Sequence, residues 1–194
     1  MKTLLAVFLS VSAAAVVLAG CKTSRKGSES TPNRVISRDG SFELRDYPSL
    51  TIVETKMDND TGSSFQRLFQ YISGGNADGQ KIPMTTPVFM EGKESQRSMS
   101  FVMPENMKSA PVPTDSALSV TSIPAGRFAV FTFSGSRSVE AEAKALGQLQ
   151  AWLKKSGLES AGEPLFGYFD PPWTPSFLRR NEVMLRVNTQ TSGN

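Results

Sequence analysis

Histidine is absent from all 194 residues, and this decides more chemistry than any motif that is present. Without an imidazole the chain cannot assemble a Ser-His-Asp triad, an HExxH zinc helix or a His-Cys zinc cluster. No GxGxxG or GxxxxGK(S/T) segment occurs, so nucleotide binding through a Gly-rich loop has no support. Glu43, Glu54, Glu91, Glu163 and Asp170 are scattered over strands and loops and read as solvated charge, not as a catalytic pair. The chain is therefore expected not to be an enzyme. What remains is apolar and aromatic: 12 Phe, 8 Met, 2 Trp and 3 Tyr. Met84, Met90, Met99, Met103, Met107 and Met184 surround the central strands and are expected to fill the core, where a flexible thioether suits irregular gaps.

The elements that must position these side chains follow from periodicity. A first half reads strand Ser41–Tyr47, strand Leu50–Lys56, helix Ser63–Ser73, strand Met84–Glu91 and strand Ser98–Met103. A second half reads strand Ala117–Ile123, strand Arg127–Phe133, helix Val139–Lys155, strand Leu165–Asp170 and strand Glu182–Asn188. Pro48 and Pro124 occupy the same place in the two halves. Phe65, Leu68, Phe69 and Ile72 form one helical stripe, and Leu146, Leu149 and Leu153 form another. Ser138 can cap the second helix, with Glu140 and Glu142 at its positive end and Lys154 and Lys155 at its negative end. The expectation is an α+β domain: a distorted antiparallel β-barrel from two ββαββ repeats, with two flanking helices. Between helix and strand lies KIPMTTPVFM (Lys81 to Met90), whose Pro83 and Pro87 fit a strand start, an edge or a turn. At 39% hydrophobic and 20% charged the chain has an ordinary core, and its net +3 is too dispersed to predict a nucleic-acid partner.

The N-terminus is of another kind. Met1-Lys2 is basic and Leu4 to Leu18 is an uncharged apolar run, too short to span a bilayer comfortably, so 1–20 reads as a signal peptide. It ends in Leu18-Ala19-Gly20-Cys21, which resembles the lipobox of bacterial lipoproteins. That resemblance implies lipidation of Cys21, the only cysteine in the chain, and leaves no thiol for catalysis or for an Fe–S cluster. Residues 21–34 would then be lipidated cysteine and flexible tether, 35–188 the folded domain and 189–194 a tail. By the sorting rule of that lipoprotein family, the resemblance with Lys22 after the cysteine implies the periplasmic face of an outer membrane in the bacterial cell envelope.

Three segments together resemble the SOUL haem-binding protein family: KIPMTTPV, then SMSFVMPEN, then GYFDPPWTPSFLRRNEVMLRV. FELRDY resembles the family's first strand. The resemblance implies non-covalent binding of haem or another tetrapyrrole in a hydrophobic groove beside the first helix. It places Phe65, Phe69 and Gln70 on the groove side, and Trp173, Phe177 and Arg179 opposite, with arginine available to a propionate. Some members are thought to ligate iron through a histidine in the FELRDY strand, where this chain has Asp46. The axial ligand would then be a Met, Tyr47, Tyr71 or water, or binding would be hydrophobic. The function implied is a membrane-anchored module for haem capture, buffering or delivery, with no protein partner specified. The alternatives are a structural or interaction lipoprotein without haem, or a binder of other amphipathic small molecules, as in effector domains of certain bacterial regulators.

Overall fold

A computed structural model describes residues 29–57, 61–92 and 96–188. The apolar leader, Cys21 and the 189–194 tail lie outside the described residues. Among the described residues the first paired strand is at Glu29, inside the stretch expected as tether. There β1 (Glu29–Ser30) runs parallel to β5 (Thr85–Thr86), and the backbone N–H and hydroxyl of buried Thr31 both donate to the Thr86 carbonyl.

The other strands are β2 (Arg34–Asp39), β3 (Phe42–Tyr47), β4 (Leu50–Lys56), β6 (Val88–Glu91), β7 (Ser98–Val102), β8 (Leu118–Ile123), β9 (Gly126–Phe133), β10 (Ser160–Tyr168) and β11 (Asn181–Val187). The helices are α1 (Thr61–Ile72) and α2 (Val139–Lys155). The expected bounds of β4 and α2 agree residue for residue. In α2 the Ser138 hydroxyl accepts from the Ala141 N–H at 3.1 Å, and Gly157 beyond its end takes a φ of +67°, a conformation that favours glycine. β10 starts five residues earlier than expected because a bulge between Ala161 and Leu165 carries the strand through Gly162 and Pro164.

Nine strands form one antiparallel sheet in the order β2-β3-β9-β11-β10-β6-β7-β4-β8. Leaving β2 aside, the order is unchanged when it is read from the other end and β3, β4, β6, β7 are exchanged for β8, β9, β10, β11. The first strand of each half thus pairs with the second strand of the other half: β3 with β9, and β8 with β4.

The expected barrel does not close, because β2 and β8 remain as edges. β2 occupies the ladder position beside β3 that closure onto β8 would need. The sheet curls instead. Five strands separate β3 from β4, about 29 Å in a flat sheet, yet only Pro48 and Ser49 connect Tyr47 to Leu50, a reach of about 11 Å. Pro124 and Ala125 make the matching link between β8 and β9. The Ser49 hydroxyl of the first link donates to the carbonyl of Ile123, just before the second, at 3.5 Å, and Arg186 of β11 donates to the Pro124 and Ala125 carbonyls at 2.6 and 3.0 Å.

Both helices cover one face of the sheet. α1 packs on Val53, Met90, Met99, Phe101 and Leu118, and α2 packs on Ala129, Phe131, Phe166, Val183 and Leu185. The opposite face buries Tyr47, Leu50, Ile52, Phe89, Val102, Phe128, Val130 and Met184 in a single cluster, which the curl makes possible. Pro83 lies outside any strand, and Pro87, after a cis Thr86–Pro87 peptide, stands just before β6, as a residue without an N–H must. It packs on Gly167, where an added Cβ would sit 3.2 Å from its ring.

Candidate functional site

α1 turns a different face inward from the one its apolar spacing predicts. Its buried residues are Ser64, Leu68, Tyr71 and Ile72, and not the Phe65, Leu68, Phe69, Ile72 stripe. Tyr71 causes the rotation: its ring is fully buried and its hydroxyl needs a partner, found in the Pro111 carbonyl at 2.8 Å. Phe65 and Phe69 are left on the flank, 39% and 43% exposed, with their rings stacked 6.1 Å apart and 13° from parallel. Phe65 also meets Phe101 edge-on at 5.3 Å, so the pair is seated on the core while showing a face to solvent. Gln70 is exposed beside them. Met57, Met84 and Met107 are half-buried around the same cluster. Thr61, Phe65 and Phe69 follow at helical spacing i, i+4, i+8, and the exposed Arg137 donates to the Thr61 hydroxyl at 2.8 Å at the head of that row.

The second group of expected site residues sits on the loop from Phe169 to Arg180, between β10 and β11. Trp173 and Phe177 are 83% and 74% exposed. Among the described residues no ring pairing joins either of them to Phe65 or Phe69; the two groups are linked indirectly, through the segment between β9 and α2. Gly135 in that segment gives one hydrogen bond to the loop and accepts one from its base: its N–H donates to the Ser176 carbonyl and its carbonyl accepts from Asn181, both at 3.0 Å. Arg137 of the same segment then reaches α1. Arg179 points back into its own loop, where its guanidinium donates to the Thr174 carbonyl at 2.7 Å and to the Pro172 carbonyl.

Neither tyrosine offered as an iron ligand is accessible. Tyr71 is closed off as described, and burial raises its pKa, with the charge of Asp78 adding to the effect. Tyr47 is buried, burial raises its pKa too, and its hydroxyl accepts from Arg45 at 3.0 Å. Asp46 is held by Arg127 at 2.7 and 3.0 Å and by Arg34 at 3.0 Å, chiefly Arg127 depressing its pKa to about 2. The site therefore offers a flat aromatic surface, half-buried thioethers and a guanidinium, and no tyrosinate.

Sequence reasoning missed two buried ionic clusters. In the first, Arg45 donates to Glu43 at 2.5 Å and to both carboxylate oxygens of Glu182 at 2.9 and 3.0 Å, while Arg180 joins Glu182 and stacks over Phe169 at 4.2 Å. Burial is the largest single influence and works against the Arg45 charge, but the Glu182 hydrogen bond, with the Glu182 charge and the Tyr47 hydroxyl, together outweighs it and the pKa is raised. This cluster ties the root of the 169–180 loop across β9 to β3, a strand from the other half of the sequence. In the second, Arg97 pairs with Glu142 at 2.8 Å, and Glu142 also accepts from the Tyr168 hydroxyl, whose pKa burial and then Glu142 push up. A charge at an inward strand position is the sequence signal for the first, and an acidic residue on the buried face of α2 is the signal for the second, but the partners are remote: Arg45 and Glu182 are 137 positions apart.

Similarity to known proteins bears on the fold and the family. No curated protein matches the sequence. Among solved structures, the C-terminal domain of EcmrR superposes with a TM-score of 0.57 at 15% identity, covering 76% of this chain and 96% of that one. A hydrolase from Listeria innocua superposes with a TM-score of 0.57 at 9% identity, covering 79% of this chain and 94% of that one. At these identities the likeness is one of fold. The sequence also matches the SOUL heme-binding protein family over residues 28–186, from the first paired strand to nearly the end of the last, and the chain belongs to that family.

Proposed function

We propose that the chain is a membrane-anchored haem- or tetrapyrrole-binding protein that is not an enzyme, and that holds its ligand against Phe65 and Phe69 on the exposed flank of α1. The observation that carries this reading is the stacked, half-exposed ring pair, with Phe65 seated on Phe101 of a methionine-rich core cluster, in a family described by haem binding. Two parallel rings match a flat porphyrin face. Gln70 edges the surface, and Arg137 at the head of the row supplies a charge for a carboxylate. Arg179 is engaged by its own loop and plays no propionate role in this arrangement. With no histidine and with both tyrosines closed, face contact dominates, so iron contributes little to affinity. Lipidation at Cys21 would place the domain at the periplasmic face of the outer membrane, where capture, buffering or delivery fits a surface-bound ligand.

The test is titration of hemin and of iron-free protoporphyrin IX into the purified chain, against lipid-only blanks. The expected result is saturation near one porphyrin per chain for both, with Phe65→Ala/Phe69→Ala weakening each about tenfold, or about 1.4 kcal/mol. Non-saturating binding of both porphyrins, unchanged in the double variant, rejects the reading. Separately, Cys21→Ala should release the protein from membranes.

A further inference from the structure

The loop from Phe169 to Arg180 displays Trp173, Phe177 and Leu178 to solvent, and it displays them rigidly. Scattered exposed apolar side chains are ordinary, but these three share a short segment stiffened by Pro171, Pro172 and Pro175. The Thr174 N–H donates to the Pro171 carbonyl at 3.0 Å, and the Leu178 N–H to the Pro175 carbonyl at 2.9 Å. Arg179 clamps two more carbonyls from inside, and Gly135 and Asn181 fix the base. The rings are thus presented with little conformational freedom left to lose on contact.

The position of the loop identifies what it meets. It begins after Tyr168, whose cross-strand partner is Val88. Val88 follows Thr86 and Pro87, and Thr86 pairs with Ser30 and Thr31, so the described chain enters at the same end of the sheet as the loop. Cys21 lies eight positions before Glu29, a stretch that spans about 28 Å at most. Lys22, Arg25 and Lys26 within it suit an anionic surface.

We propose that the 169–180 loop is a membrane-contact element, with the rings of Trp173 and Phe177 entering the headgroup–acyl boundary of the bilayer that holds Cys21 and so fixing the orientation of the domain. This rests on the lipid-anchor part of the proposed function. Tryptophan favours that boundary because its ring is apolar and its N–H stays hydrated. A protein partner is the weaker occupant, since three side chains fall well short of the ~800 Å² per partner that a stable interface buries.

The test uses the full chain in protein-free vesicles with bromine-labelled acyl chains. Trp152→Phe leaves Trp173 as the sole indole; Trp152 stacks on Phe42 at 5.4 Å and donates to Asp39, so its removal does not touch the loop. The expected result is a blue shift of Trp173 emission and quenching of about twofold by the brominated lipid, with reduced access to aqueous iodide. Trp173→Ala/Phe177→Ala, read by a probe on the loop, loses the lipid contact while the chain still floats with the vesicles. If the chain floats but Trp173 stays open to iodide and unquenched by lipid, this inference fails and the anchor stands. A chain that does not float overturns both. Loop burial seen only in native membranes containing other proteins assigns a protein partner and overturns it. Quenching that disappears when hemin saturates the site assigns the loop to the ligand, with the same consequence.

Discussion

The two helices occupy equivalent places on one sheet face and are finished differently. α2 is capped by Ser138, carries acidic residues at its start and basic residues at its end, and buries Ala145, Leu149 and Leu153 on an aliphatic and aromatic bed. α1 is shorter, has neither charge complement, and rests on Met90, Met99 and Met103 with more methionine at the rim. It leaves two aromatic rings outside where α2 leaves only Val139 as an exposed large apolar residue. Every local feature of α2 serves folding, whereas the face of α1 gives up burial that its own residues could have had. That difference is the reason α1, and not α2, is the face proposed for the ligand.

The comparison can be broken first at the seam between the halves. Removing one member of a buried ionic cluster leaves its charge under-compensated, so Glu182→Ala should cost about 3–5 kcal/mol in chemical denaturation, because Arg45 loses its two-oxygen partner and keeps only Glu43; a loss below ~1 kcal/mol would mean the seam does not couple the halves. Next, Leu149→Ala under α2 should cost about 4 kcal/mol, and Leu68→Ala under α1 about 2 kcal/mol, because methionines around Leu68 can collapse into the cavity. Equal losses would remove the distinction between the two beds. Ser138→Ala should cost about 1 kcal/mol through the lost cap, as read from the denaturation midpoint. Phe65→Ala/Phe69→Ala should change stability less than any of these while weakening porphyrin, and Val139→Ala should alter neither. The smallest effect concerns Asp46. With its pKa held at about 2, below the ordinary value near 3.9, its stabilising contribution is complete above pH ~4 and is lost as pH falls toward 2. Asp46→Asn should flatten stability over that window alone.

Legibility in the sequence followed the range of the interactions. α2 was readable in full because its cap, charges and spacing are local. α1 was readable as a helix but not in its orientation, since Tyr71 is drawn inward by a carbonyl forty positions away. Strand β3 was readable too, yet its inward face, Glu43 and Arg45, looks like an outward one until Glu182 is beside it. β2 was invisible because its six residues are all exposed and its charges, which blunt a sheet edge, mimic a loop. The groove side at Phe65, Phe69 and Gln70 was indicated only by family resemblance. The inward turn of Arg179 rests on loop carbonyls that no residue pattern announces.

The exchange of first strands between halves has a consequence for assembly. A lone ββαββ unit of this design has no neighbour within itself for its leading strand, so it would expose a bare ladder and an uncovered apolar face. Two such units could each lend that strand to the other and satisfy both, forming a strand-swapped homodimer with two-fold symmetry. The links Pro48-Ser49 and Pro124-Ala125 already turn the chain toward the opposite half, as a swapped pair requires. Each half on its own should therefore be recoverable only as a dimer or an aggregate, and the joined chain is in effect that dimer made permanent.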